Sequence, residues 1–363
     1  MTGRYISIQY LRGVAATLVV ASHAFLYPLA DEPMLYGRLG WLGVILFFVI
    51  SGFIMVTVTG KGRFDGGLFL RRRAIRVIPL YWAATLLTAG LALLAPTMFK
   101  TMTFDFSQLW RSLLFIPFFN ETSGGIHPIY KLGWTLNYEV YFYLCFAALW
   151  FLGSTTRVAT LTVVFVGLAA FGFLAKPMND LTMFYTSFMP LAFCAGMGLG
   201  LIALQGTFRA NTGLLIVVGM VGAAGLVFGL AWPASRVEDW SAFLGCLVFA
   251  SSVVFLGVQL EELLPEVSTL ERSGDASYST YLSHIYVVGA ISWLAYAVLP
   301  SGNSMIYFTV AMSAIACATA YACIGWSSDP LLDGSHRLPR DRQQKQQRRK
   351  LEGRARSTRH GAR

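Results

Sequence analysis

The chain has 363 residues, of which 56% are apolar and 13% charged, with a mean hydropathy of +0.59. A soluble domain carries about 25% charged residues, so a deficit spread along most of the chain excludes a soluble enzyme with one anchor and indicates a polytopic membrane protein. The net charge of +10 is concentrated after Trp326, where eleven Lys/Arg face four acidic residues, the pattern of a cytoplasmic tail on anionic lipid rather than of a nucleic-acid binder.

At about 20 apolar residues per span, ten membrane helices are predicted near 7–27, 40–59, 77–95, 135–153, 157–175, 182–204, 212–232, 241–259, 278–299 and 304–326. The expected fold class is therefore an all-α polytopic membrane protein, with residues 1–326 as the transmembrane domain and 327–363 as a basic, disordered tail. The first apolar run lacks a small-residue cleavage site and reads as a mature span, not a signal peptide. No internal repeat is visible, which weakens an inverted-repeat transporter. Ten spans place both termini on one side, and that side collects twenty-one Lys/Arg against six opposite; the positive-inside rule makes it cytoplasmic. The longest outer connection, about 96–134, contains FSQLWRSLLFIPFF, too short to span and expected along the outer interface.

The first span holds two ionisable residues. Eleven positions at about 100° each bring Arg12 and His23 within about 20° around the helix and about 16 Å apart along it. Placing such groups in hydrocarbon costs about 2.5–3.5 kcal/mol each. Snorkelling accounts for Arg12 but not for the shorter His23, so the pair suggests a polar cavity crossing much of the bilayer. At the cytoplasmic mouth of the third span, in LFLRRRAIRVIPLYW, Arg73 and Arg76 share a face at i, i+3. They suit the phosphates of a nucleotide or coenzyme A, although topology alone also puts basic residues there.

In GWTLNYEVYFY, Glu139 is expected at the depth of His23, where a carboxylate can fix an imidazole tautomer; bonding to a tyrosine is the structural alternative. In SGDASYSTYLSHIYV, Ser277, Tyr281 and His284 lie on one face, with His284 expected about two turns in from the cytoplasm. They can line a donor channel or bond across helices. Small residues in FFVISGFIM, Ser51 and Gly52, favour close packing. Five cysteines fall in apolar runs without metal-ligand or disulfide spacing, so no metal site is expected. Nothing supports roles for His127, His336 or His360. Asn120-Glu-Thr matches a glycosylation sequon, which three residues often do by chance.

IQYLRGVAATLVVASH, FFVISGFIM, RRRAIRVIPLYW, GWTLNYEVYFYL and SYSTYLSHIYV, in that order across about residues 5–325, resemble the acyltransferase-3 family of integral membrane O-acyltransferases, in particular bacterial exopolysaccharide-modifying acetyltransferases. The resemblance implies ten transmembrane helices in the bacterial cytoplasmic (inner) membrane. It implies acyl-CoA, acetyl-CoA by preference, as a co-substrate from the cytoplasm, with no bound cofactor. The acceptor is then a hydroxyl of a glycan or glycolipid made with polysaccharide biosynthesis machinery. The expected catalytic residues are His23, Glu139 and Arg12; the expected acyl-CoA-binding residues are Arg73, Arg76, His284 and Tyr281. His23 would act as a base, or carry the acyl group transiently. The chain departs from some relatives in having no fused esterase-like domain. A transporter or flippase for polysaccharide precursors is the competing class, with the same residues as a transport path.

Overall fold

The computed structural model describes residues 5–26, 33–60, 62–94, 104–206, 209–232 and 239–298. The tenth predicted span, the basic tail, Cys317, Cys323, His336 and His360 lie outside the described residues. The chain forms α1 (Ile6–Leu26), α2 (Pro33–Thr59), α3 (Gly66–Leu94), α4 (Phe106–Leu113), α5 (Trp134–Ala148), α6 (Ser154–Ala175), α7 (Asp180–Tyr185), α8 (Pro190–Gln205), α9 (Thr212–Ala231), α10 (Trp240–Gln259) and α11 (Ser268–Val298). Among the described residues the sheet content is one hairpin of β1 (Phe119–Asn120) and β2 (Gly125–Ile126). Among the described residues, six segments are long and apolar enough to cross a bilayer: α2, α3, α6, α7 with α8, α9 and α10. The protein is a multi-pass helical membrane protein.

α2 is the central helix, with α1, α8 and α10 packed on it and Ile45, Val49, Phe53 and Val56 buried. Small residues let these helices approach. A Cβ on Gly52 would overlap the Phe193 carbonyl, and one on Gly196 the Val49 carbonyl, as in close membrane crossings. The pairing of 49 with 196 and 53 with 200 makes α2 and α8 parallel. α1 and α11 are also parallel, with Gly13 against Ser273 and His23 against His284. α6 and α9 are peripheral and expose Val163, Phe173, Ile216 and Val227, as lipid-facing helices do, because lipid imposes no penalty on apolar surface.

Five of the predicted spans differ from the observed helices. α3 begins at Gly66, eleven residues early, capped by the Asp65 carboxylate accepting from Leu68 N–H (2.9 Å). α11 begins at Ser268, ten residues early. Hydropathy registers only apolar sequence, and both early stretches are polar. The span predicted at 182–204 breaks between Tyr185 and Pro190, whose missing N–H suits a helix start. α5 ends at Ala148, where buried Arg157 donates to the Leu149 (3.1 Å) and Leu152 (2.7 Å) carbonyls. α2 starts at Pro33, so Arg38, expected in an outer loop, is fully buried and donates to the carbonyls of Leu230 (3.0 Å) and Trp232 at the end of α9.

The expected interfacial helix is α4. Tyr81 and Trp82 of α3 donate to its last carbonyls, Ser112 and Leu113, each at 2.9 Å. In the hairpin beyond it, Asn120 is buried and its Oδ1 accepts from Thr122 N–H, Thr122 Oγ1 and Ser123 N–H. The sequon is thus a turn in which the asparagine is occupied.

The α10–α11 loop clamps the start of α1. The Glu261 carboxylate accepts from the N–H groups of Ile6 (2.5 Å) and Ser7 (3.0 Å), two of the four donors a helix leaves unsatisfied at its N-terminus. Tyr10 donates to the Pro265 carbonyl and accepts from Val267 N–H, both at 2.6 Å. Glu261→Ala should lower stability by about 0.5–2 kcal/mol, the usual cost of a lost cap, read as a lower unfolding temperature in detergent. Glu261→Gln keeps an acceptor and should lose less.

Candidate active site

α1, α2, α3, α5 and α11 enclose a cavity of about 90 Å³, room for several ordered waters or a small ligand group. Its polar lining comes from Arg12 on α1, Ser51 on α2, Arg73 and Arg76 on α3, Glu139 and Tyr143 on α5, and Ser277, Tyr278 and Tyr281 on α11. Val44, Phe47, Ile50, Ile54 and Leu136 supply apolar wall.

Three guanidinium groups meet one carboxylate here, a formal charge of +2. Arg12 is buried and donates from Nη1 to Gln9 Oε1 (3.1 Å). Glu139 Oε1 accepts a short hydrogen bond from the Tyr143 hydroxyl and a long one from Ser51 Oγ (3.5 Å). Arg73 stands over the rings of Phe69 and Tyr143, 5.7 and 5.9 Å from their centroids. Its buried Nε has no hydrogen-bond partner among the described residues. Arg12 is buried, Arg73 half-buried and Arg76 exposed, so positive charge is graded from the surface into the cavity, and an anion with several oxygens can meet it through charge-assisted bonds. The cavity therefore suits a phosphate-bearing ligand.

Tyr281 closes one end. Its ring is buried, its hydroxyl bonds with Thr135 Oγ1 (2.7 Å) and donates toward the Leu132 carbonyl (3.1 Å), and Phe47 meets it edge to face at 6.0 Å. One turn further along α11 comes His284, its ring centroid 6.0 Å from that of Tyr281. His284 Nε2 lies 3.3 Å from His23 Nδ1, with the ring centroids 5.1 Å apart. Each imidazole also places Nδ1 on the backbone carbonyl four residues earlier: His23 on Val19 (2.9 Å), His284 on Thr280 (3.1 Å). His284 is fully buried and His23 half-buried.

The seven residues singled out from sequence thus fall into two neighbouring clusters. Arg12, Arg73, Arg76, Glu139 and Tyr281 line the cavity, while His23 and His284 form a pair. Glu139, expected beside His23, lies instead with the arginines. The start of α5 is already sunk in the bundle, with Leu132, Gly133 and Thr135 to Tyr138 buried, which carries Glu139 deeper. His284, expected nearer the cytoplasm, reaches the depth of His23 because α11 starts early and runs parallel to α1. Tyr143 was not singled out; its i+4 spacing from Glu139 was the available signal. Ser51 lines the cavity as well as sitting beside the packing glycine.

His127 sits in the outer connection, its ring over Gly125 and its Nδ1 hydrogen-bonded with Ser123 Oγ (3.0 Å). Burial, aided by Lys131, pushes its imidazole down to about 4. The unfolded chain, with an ordinary histidine near 6.5, then binds more protons between these values, so stability falls as pH drops from about 6.5 toward 4. His127→Asn should flatten that part of the unfolding-temperature profile; an unchanged slope would remove His127 as its source.

Residues 5–324, which include the whole described bundle and the site within it, match the family of the acyltransferase domain. The chain belongs to the acyltransferase-3 family. This acyltransferase is 29% identical over 270 residues to the exopolysaccharide production protein ExoZ of Rhizobium meliloti (strain 1021), covering 74% of this chain and 82% of that protein. It is 37% identical over 91 residues to protein 2 in the picA locus of Rhizobium radiobacter, covering 24% of this chain and 45% of that protein. No solved structure matches the acyltransferase. The protein is a membrane acyltransferase.

Proposed function

We propose that this acyltransferase moves an acyl group, acetyl by preference, from acyl-CoA to a hydroxyl of an exported or cell-surface glycan. The observation that carries this reading is the convergence of Arg12, Arg73 and Arg76 on a cavity that ends at Tyr281, one turn from the histidine pair. The arginines hold coenzyme A phosphates, and the thioester lies toward His23. His23 takes the proton of the acceptor hydroxyl as its oxygen attacks the thioester carbonyl. The carbon–sulfur bond then breaks, and the coenzyme A thiolate regains a proton. Arg12 and Glu139 organise charge at the donor end. The relative named for exopolysaccharide production supports a glycan or glycolipid acceptor, handed over by polysaccharide biosynthesis machinery.

In this reading the chain crosses the bacterial inner membrane ten times with both termini and the basic tail, 327–363, in the cytoplasm, as the distribution of Lys/Arg favours. The test is mass spectrometry of surface polysaccharide from cells with and without the protein, together with transfer from labelled acetyl-CoA by purified enzyme. The expected result is an acetyl increment that disappears with the gene. Polysaccharide of unchanged mass and no binding of acetyl-CoA would overturn the reading.

A further inference from the structure

We infer that His284 is the positioning partner of His23: it accepts the His23 Nδ1–H and leaves the His23 Nε2 lone pair as the one that receives the acceptor's proton. The inference rests on the reading of His23 as the base. A carbonyl oxygen can only accept, so the 2.9 Å contact with Val19 puts the hydrogen of neutral His23 on Nδ1, and the 3.1 Å contact with Thr280 does the same for His284. A neutral imidazole protonated at Nδ1 has a bare Nε2. His284 Nε2, 3.3 Å from His23 Nδ1, is therefore the acceptor, and the His23 Nδ1–H is shared between it and the Val19 carbonyl. A neutral imidazole thus stands where hydrolytic triads place a carboxylate.

In the reaction the acceptor O–H bond breaks as His23 Nε2–H forms, and the oxygen bonds to the thioester carbon. The thiolate leaves and later takes that proton. Throughout, the cationic His23 keeps Nδ1–H directed at His284 Nε2, a charge-assisted bond stronger than the neutral one. Ring orientation is fixed from both sides, by the backbone of α1 and by α11.

The test uses full-length enzyme in nanodiscs, labelled with ¹⁵N-histidine, with signals assigned through His23→Gln and His284→Gln variants. The expected spectrum shows both residues as neutral Nδ1–H tautomers. A His23 in the Nε2–H tautomer would overturn the inference. In kinetics, His284→Phe, similar in size but without an acceptor, should lower kcat about 10- to 100-fold, as loss of an orienting partner does elsewhere, with KM for acetyl-CoA within about twofold. His284→Gln keeps an acceptor oxygen and should recover most of kcat. Unchanged kcat in His284→Phe, a loss confined to KM, or His284→Gln as inactive as His284→Phe would each sink the positioning role. The tautomer readout does not depend on turnover. A wild type with the Nδ1–H tautomer but no acyl transfer would count against the proposed function and not against the pair.

Discussion

His23→Ala should reduce acyl transfer about 10²- to 10⁴-fold, the usual contribution of a general base, while the protein still inserts and folds. The retained fold is expected because His23 is half-buried and its side-chain bonds are to one carbonyl and to His284, not to a packing core. Removing it leaves His284 Nε2 without that partner, at a cost of about 1–3 kcal/mol for an unsatisfied buried group. His23→Gln, which can donate to His284 and spare that cost, separates chemistry from stability. It should be as inactive as His23→Ala yet closer to wild type in unfolding temperature. Wild-type turnover in either purified variant would remove His23 from the mechanism. Rapid quench with labelled acetyl-CoA and no acceptor adds the other discrimination: label trapped on the enzyme would mean a covalent acyl-histidine rather than base catalysis.

Arg73→Ala should weaken coenzyme A binding about 10- to 100-fold. A hydrogen bond to a charged group contributes about 1.5–3 kcal/mol, and each 1.4 kcal/mol is about tenfold in affinity. Among the arginines that line the cavity, Arg73 carries a buried Nε without a partner among the described residues, a donor that an anion would satisfy. The loss should appear in the dissociation constant and KM, with kcat at saturation falling less. Arg73→Lys should restore only part of the affinity, since an ammonium cannot present two parallel donors. Arg71 and Arg72 lie on the same helix but are exposed and outside the cavity lining, so Arg72→Ala is the control for long-range attraction. Equal losses in Arg73→Ala and Arg72→Ala, both abolished by salt, would mean general steering rather than a phosphate held in the cavity.

What sequence could deliver follows from what its periodicities measure. Helical spacing put Arg12 and His23 on one stripe about 16 Å apart, and α1 does carry a cavity residue at one end and a member of the histidine pair at the other. The i, i+3 spacing likewise brought Arg73 and Arg76 to the same wall. Depth was misjudged where a helix begins in polar sequence, as α11 does with Ser273 already against Gly13 of α1. The polar first turns of α3 and α11 carry no hydropathy signal, and shifting α11 by ten residues moves His284 from the cytoplasmic side to His23. The partner of an intramembrane group was not legible at all. Glu139 and His284 were both chemically reasonable companions for His23, and the choice depends on α1 and α11 running parallel at close range. That closeness requires Gly274, where a Cβ would overlap the Gln9 carbonyl. A glycine in the sequence announces room, but not which helix fills it.

His23 and His284 are 261 positions apart in the chain. At about 5–20 residues per second of synthesis, the ribosome needs roughly 13–50 s after making His23 before His284 exists. During that interval α1 stands in the bilayer without its histidine partner, and the Glu261 clamp on its first turn is missing for nearly as long. On the proposed roles, a nascent or C-terminally truncated chain would carry the arginines of the cavity and still lack the histidine pair. If the proposed roles hold, the order of synthesis acts as a safeguard: the donor would meet a working enzyme only once the last described helix has come home to the first.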